Sequence, residues 1–240
     1  MHGMAKAIQA AGLTVYVPDL RGHGDNHPHG DVNYIGQLDD DMADFIRVIQ
    51  PAHQGAKWDL VGFSSGGGFA LRLAAEPVGQ SFDRYVLLSP FLVFNAPTVR
   101  TAQAEPAGQT SGEPAVWTTA SVGRIIGLQA LNAVGVHFFA GLAVIHFAVP
   151  PDVPSVTDAY SWRLLLNFQP HEDFMADIRA VSKPMQVLVG GKDELYLPEE
   201  FEPVFDANRK DIPVTIAPDF GHIDMITNPK AIDAVVRALR

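Results

Sequence analysis

A chain of 240 residues with 47% apolar and 18% charged residues is able to bury a full core, which bounds it to one globular domain, or one domain with an insertion. The formal net charge of −10, from 27 acidic against 17 basic residues, argues against a nucleic-acid partner and leaves a neutral or lipid-like one open. Without a single cysteine the chain has no disulfides and no thiolate metal site, and no pair of its 9 histidines stands at metal-ligand spacing with a carboxylate, so neither metal nor cofactor is expected.

In chain order, the spacing of Met4, Ala7, Ile8 and Ala11 predicts a helix over Met4–Ala11, stopped by Gly12. Leu13–Val17 is a β-rich run ended by Pro18, and a polar, Gly-rich loop follows through Asp25. Leu38–Gln50 reads as a helix whose buried stripe is Leu38, Met42, Phe45, Ile46 and Ile49, with Pro51 ending it. Trp58–Ala75 holds a short apolar strand, a tight turn and an amphipathic helix. Tyr85–Ser89, Met185–Gly190 and Val214–Ala217 are further strands, and Asn228–Leu239 is a closing helix. Strands alternating with helices predict an α/β fold, a mainly parallel sheet with helices on both faces. No basic segment followed by an apolar one opens the chain as given, so no signal peptide is read and a cytoplasmic protein is expected.

Between Phe91 and about Pro170 the rhythm breaks. Residues 96 to 119, rich in Pro, Thr, Ala, Gly and Gln, predict a mobile loop. Ile125–Pro151 contains no Asp, Glu, Lys or Arg, a length that invites a membrane span. Gln129, Asn132, His137 and His146 interrupt it, as do Gly127, Gly135 and Gly141. The better fit is a helix near Val122–Ala133, then a hairpin of Val136–Phe139 and Leu142–Phe147 around Ala140-Gly141. The expected division is thus a core of residues 1–90 and 171–240 with an inserted cap over 91–170. Such an apolar insertion suits a lid for a lipophilic small-molecule substrate, with transient contact to a membrane surface; plain packing on the sheet is the equal alternative. Oligomeric state is not legible.

The stretch with chemical content is Gly62-Phe63-Ser64-Ser65-Gly66, between an apolar strand and a helix. A nucleophilic serine needs a sharp strand-to-helix bend that lifts Ser64 over the sheet edge. Glycines at 62 and 66 let neighbouring backbone pass close, and the helix start aims its N–H groups at a forming oxyanion, Ser65 N–H first. Short Gly-x-Ser-x-Gly matches also arise in ordinary loops, so an acid and a histidine must follow. They do: Asp193 follows the apolar strand that ends at Gly190, and His222 stands in Phe220-Gly221-His222 after the last strand. Glu194 and Asp224 are rival acids. The first lacks the usual place in the loop, and the second is too close to His222 in sequence to reach Nδ1 comfortably. His27, His29 and His53 read as solvated loop residues. His137 and His146 either line the lid or simply pack. Gly66-Gly67-Gly68 lacks the Lys-Ser/Thr of a phosphate loop.

Serine, acid and histidine in that order, each after a strand, resemble the α/β-hydrolases over nearly the whole chain. Pro18-Asp19-Leu20-Arg21-Gly22-His23-Gly24, the Gly62–Gly68 elbow, the Gly190–Asp193 loop and Gly221-His222 carry the likeness. It is closest to the lysophospholipase and monoacylglycerol-lipase-like branch, which also bears the serine aminopeptidase label. The resemblance implies a serine esterase in which Ser64 attacks, His222 moves the proton and Asp193 orients the imidazole. It also implies a structural turn around His23. Hydrolysis of amide or peptide bonds and a non-catalytic binding module are the alternatives. One departure stands out. Family members carry strands before the first helix, one of which ends in a His-Gly loop giving a second oxyanion donor and lies between the counterparts of Leu13–Val17 and Leu60–Phe63. Here only Met1-His2-Gly3 precedes the helix. The readings are a fragment or misplaced start, a degenerate protein, or a rearranged sheet; the first is favoured, since losing a central strand leaves two unpaired edges. With one donor instead of two, turnover is expected to fall by about 10²–10³.

Overall fold

Four short apolar runs build the sheet that carries the candidate site. In the computed structural model, residues 1–100, 118–149 and 156–240 are described. The chain divides into two units: Met1–Val17, Phe45–Ala107 and Gln169–Arg240 form the first, Pro18–Asp44 and Gly108–Phe168 the second. In chain order the elements are α1 (His2–Ala10), α2 (Gln37–Ile49), β1 (Asp59–Phe63), α3 (Ser65–Ala75), β2 (Arg84–Leu88), β3 (Thr118–Ala120), α4 (Val122–Ala133), β4 (Ala143–Phe147), β5 (Ala159–Ser161), α5 (Trp162–Phe168), α6 (Phe174–Ala180), β6 (Met185–Gly190), α7 (Phe201–Asp206), β7 (Val214–Ala217), α8 (Asp224–Thr227) and α9 (Pro229–Ala238).

The first unit holds a parallel sheet in the order β1-β2-β6-β7. Phe63 pairs with Leu88, Leu88 with Leu188, and Leu188 with Thr215, so all four C-terminal ends share one edge. The inner strands β2 and β6 are buried on both faces, which is why they read as near-continuous apolar runs. Val86, Leu88 and Leu188 pack with Met4 and Ile8 of α1, Met225 of α8, and Ile232 and Val235 of α9. Side chains alternate across a strand, so Tyr85 and Leu87, also fully buried, face the other side. There the Tyr85 hydroxyl donates to Gly79 O at 2.7 Å, just past α3. Each fully buried leucine contributes about 1.5–3 kcal/mol. Arg84 fastens the opposite edge, donating to Asp59 Oδ2 at 2.6 Å and to Leu239 O at 2.7 Å.

Leu13–Val17, for which the residue pattern predicts a strand, joins no ladder among the described residues, and β1 is the edge of the sheet. A strand exists only with a partner, and among the described residues none pairs with this run. Tyr16 instead stacks on Trp58, ring centroids 5.8 Å apart, and its hydroxyl lies 2.6 Å from His53 Nε2. His53 is therefore paired, not merely solvated. His2 and Gly3 lie within α1, so they form no loop at the end of a strand.

In the second unit, β4 runs antiparallel between β3 and β5. The pattern's hairpin partner, Val136–Phe139, is not a strand. Both edges of β4 are already taken, and Ala140 N–H to His137 O and Leu142 N–H to Phe139 O close tight turns at 3.0 Å each. His137 and His146 are both exposed. Helix α4 spans the predicted residues, and among the described residues no helix is long and apolar enough to cross a membrane. Of the stretch read as a mobile loop, residues 101–117 lie outside the described residues; Thr118–Ala120 is β3, and Val99 bridges Tyr196. His23 holds its turn from within: Nε2 is 2.8 Å from the Tyr160 hydroxyl, and burial lowers its pKa below the ordinary histidine value. His27 stacks on His29 at 4.5 Å, and His29 Nε2 bonds Gly24 O. The N-terminus of α2 is capped from far away in sequence: buried Asn167 accepts the N–H groups of Gly36 and Leu38 at 3.0 Å each.

Candidate active site

The bend at Ser64 is a strained one. Its φ of 52° and ψ of −119° lie where non-glycine residues are rarely held. Four main-chain bonds impose it: Ser64 N–H donates to Leu88 O at 2.9 Å, and Ser64 O accepts from Gly67, Gly68 and Phe91 at 2.9, 3.1 and 2.9 Å. Ser65 opens α3, so its N–H belongs to the first turn, whose donors have no acceptor within the helix. The close approach that the motif implies falls on Gly62 and Gly67. A Cβ on Gly62 would sit 2.2 Å from Gly66 O, and one on Gly67 would sit 2.8 Å from Pro90 Cα. Gly66, expected to share that role, is not crowded: a Cβ there meets nothing within 4 Å. Gly62→Ala is accordingly expected to destabilise the protein by about 2–4 kcal/mol, the range of severe steric lesions, while Gly66→Ala leaves the elbow in place. Thermal unfolding of the two variants checks this.

Past β6, Gly190 and Gly191 let the acid loop cross the histidine loop. A Cβ on Gly190 would stand 2.5 Å from Phe220 O, and one on Gly191 would stand 2.6 Å from Pro218 Cα. The crossing is stitched by Gly191 N–H to Ala217 O at 2.7 Å and Lys192 N–H to Phe220 O at 2.9 Å. Asp193, 2% exposed, accepts at Oδ1 from the N–H groups of Leu195 and Tyr196, 3.0 Å each. Arg100 steadies the same loop, donating to Tyr196 O at 3.0 Å and to Asp193 O at 3.3 Å. Nothing in local sequence marks Arg100 for this; the bridge from Val99 to Tyr196 and main-chain bonds of Thr98 and Arg100 to the loop bring it there.

His222 is 0% exposed, and its Nδ1 lies 2.7 Å from Asp193 Oδ2. A carboxylate only accepts, so the ring proton sits on Nδ1 and the lone pair of the neutral imidazole falls on Nε2. The ring of Phe63, the residue before Ser64, packs against the imidazole at 4.7 Å, and Tyr196 meets it edge-on at 5.2 Å. The two rival acids do something else. Glu194 Oε2 accepts the main-chain N–H of His222 at 2.8 Å, and Asp224 Oδ2 accepts that of Gly221 at 2.9 Å. The structure thus joins Asp193 to His222 and seats the imidazole against the residue that precedes Ser64. Among the described residues no cluster of three or more His, Asp or Glu is arranged to hold a metal ion.

A family profile described as alpha/beta hydrolase fold matches residues 1–229. A sequence comparison with curated proteins finds no match. Among solved structures, a monoacylglycerol lipase of Paleococcus ferrophilus is similar with a TM-score of 0.66 and 20% identity, over 99% of this chain and 85% of that one. A soluble variant of monoglyceride lipase from Saccharomyces cerevisiae, in complex with a substrate analogue, gives 0.64 and 16%, over 92% of this chain and 73% of that one. A methylesterase from Arabidopsis gives 0.58 and 15%, over 99% of this chain and 92% of that one. At these identities the likeness is one of fold. With the parallel sheet, the strained elbow after β1 and a family match running almost end to end, the chain belongs to the alpha/beta hydrolase fold family.

Proposed function

We propose that the protein is a serine hydrolase that cleaves carboxylic esters of lipophilic substrates, such as a lysophospholipid or monoacylglycerol, through an acyl-enzyme on Ser64. The observation that carries this reading is the buried bond of 2.7 Å between Asp193 and His222, set beside the Phe63-Ser64 elbow. In this reading Ser64 Oγ attacks the acyl carbonyl and His222 Nε2 takes its proton. Asp193 stabilises the imidazolium, and the Ser65 N–H donates to the oxyanion. His222 then returns the proton to the leaving alcohol, and water repeats the sequence to free the acid. Both lipases reported above support the ester assignment by fold.

The lipophilic part of the reading rests on the second unit. Ile126, Val134, Val136, Phe139 and Leu142 are exposed there, and Phe138 is 89% exposed, in a run from Ile125 to Val149 without a charged residue. Exposed apolar surface of that extent is the material of a lid and of a transient membrane contact.

A fluorophosphonate probe and a p-nitrophenyl ester series test the proposal. The probe is expected to label the protein at Ser64, located by peptide mapping. The kcat/KM is expected to rise with acyl length, by up to about 10-fold per two methylenes. Absence of labelling overturns the serine mechanism. Labelling with turnover of peptide amides only moves the substrate class to amides.

A further inference from the structure

Two consecutive carboxylates of the acid loop hold one histidine. Asp193 takes the imidazole of His222, at 2.7 Å, and Glu194 takes its main-chain N–H, at 2.8 Å. The Glu194 carboxylate lies so close over the loop that a Cβ on Gly221 would stand 3.0 Å from its Oε2. Asp224 secures the preceding N–H, and Arg100 secures the far side of Asp193 through its carbonyl.

We propose that Glu194 is a positioning residue for His222. Its carboxylate pins the main chain of the histidine, so that the imidazole stays seated on Asp193 while the ring gains and loses a proton. Phe63 and Tyr196 confine the ring and Asp193 fixes its Nδ1; the bond from Glu194 adds a fixed point on the histidine's own backbone and narrows the remaining rotation. The bond from N–H to carboxylate is charge-assisted and stronger than a neutral one. Glu194 is itself exposed, so its removal leaves no buried hole and the effect falls on alignment, not on folding. The kinetic part of this inference rests on the serine-hydrolase reading; the structural part does not.

Glu194→Ala and Glu194→Gln separate the possibilities, with His222→Ala as the assignment control. The first readout is the downfield proton resonance of His222 Nδ1–H, which needs no turnover. It is expected to persist in the wild type and in Glu194→Gln, whose amide oxygen still accepts the N–H, and to broaden by water exchange in Glu194→Ala. The second is the kcat for a short p-nitrophenyl ester. It is expected to fall about 10-fold in Glu194→Ala with KM within about 2-fold, and to recover in Glu194→Gln. Thermal unfolding is expected to be alike in all three. A resonance unchanged in Glu194→Ala overturns the inference. So does a loss of stability with kcat intact, or equal impairment in both variants. If the wild type turns over no ester and takes no fluorophosphonate, the hydrolase reading fails while the resonance still decides the role of Glu194.

Discussion

Ser64→Ala is expected to lower kcat/KM for a short p-nitrophenyl ester by about 10⁴-fold or more and to abolish fluorophosphonate labelling. The change removes one oxygen and leaves the main-chain bonds of the bend in place. The bonds that impose the Ser64 bend run from its own N–H to Leu88 and from Gly67, Gly68 and Phe91 to its own carbonyl, and all of them are main-chain. Alanine meets the same backbone strain as serine at a φ of 52°, so the elbow keeps its shape. Matched thermal unfolding of the two proteins is the control. A variant that keeps most of its activity places the nucleophile elsewhere. Ser65 and Ser89, each one residue past a strand or its bend on the same sheet edge, would be the next to replace.

Asp193→Asn is the second large effect, an expected fall in kcat of about 10³–10⁴. Oδ1 of residue 193 accepts the N–H groups of Leu195 and Tyr196, and asparagine's amide oxygen still does so. That leaves the amide NH₂ where Oδ2 met Nδ1 of His222 at 2.7 Å. A donor now faces Nδ1, the ring proton moves to Nε2, and the histidine loses the lone pair that would accept the serine proton. Fold and geometry survive while the tautomer inverts. Three substitutions made side by side rank the carboxylates: Asp193→Asn is expected to collapse kcat, while Glu194→Gln and Asp224→Asn leave it near the wild-type value. Collapse in either of the latter, with Asp193→Asn active, transfers the acid role.

Several of these features are plain in the one-dimensional chain. The pattern of the elbow is local, an apolar run, a small-residue turn and an amphipathic helix in succession, although the bonds to Leu88 and Phe91 that hold the bend come from the next strand's end. Helices α2 and α4 carry their own periodicity and appear within a residue or so of where it puts them. The order Ser64, Asp193, His222 and the strand before each are likewise readable, because parallel strands deliver their C-terminal ends to a common edge.

Pairing and crowding are different, because they depend on who the neighbour is. Leu13–Val17 has strand composition but pairs with no strand among the described residues, and Tyr16 stacks its ring on Trp58. Val136–Phe139 has strand composition too, but β3 and β5 already occupy both edges of β4. The two glycines of the elbow pattern look equivalent, yet the crowded positions are Gly62 and Gly67, the latter because Pro90 from the next strand's end lies against it. No local rule assigns Asn167 to the start of α2.

The three acids near the histidine show the division most clearly. Position in the loop and distance along the chain favour Asp193 over Glu194 and Asp224, but neither says what the other two carboxylates hold. Contact sorts them: one meets the imidazole, one the N–H of His222 and one the N–H of Gly221. Residue order and period are carried by covalent sequence, and helices, strands and the elbow follow from them. Which lone pair meets which proton is a matter of angstroms across the Gly190-Gly191 crossing, where two loops separated in sequence by α7 and β7 are pressed together, and only the packed chain sets that distance.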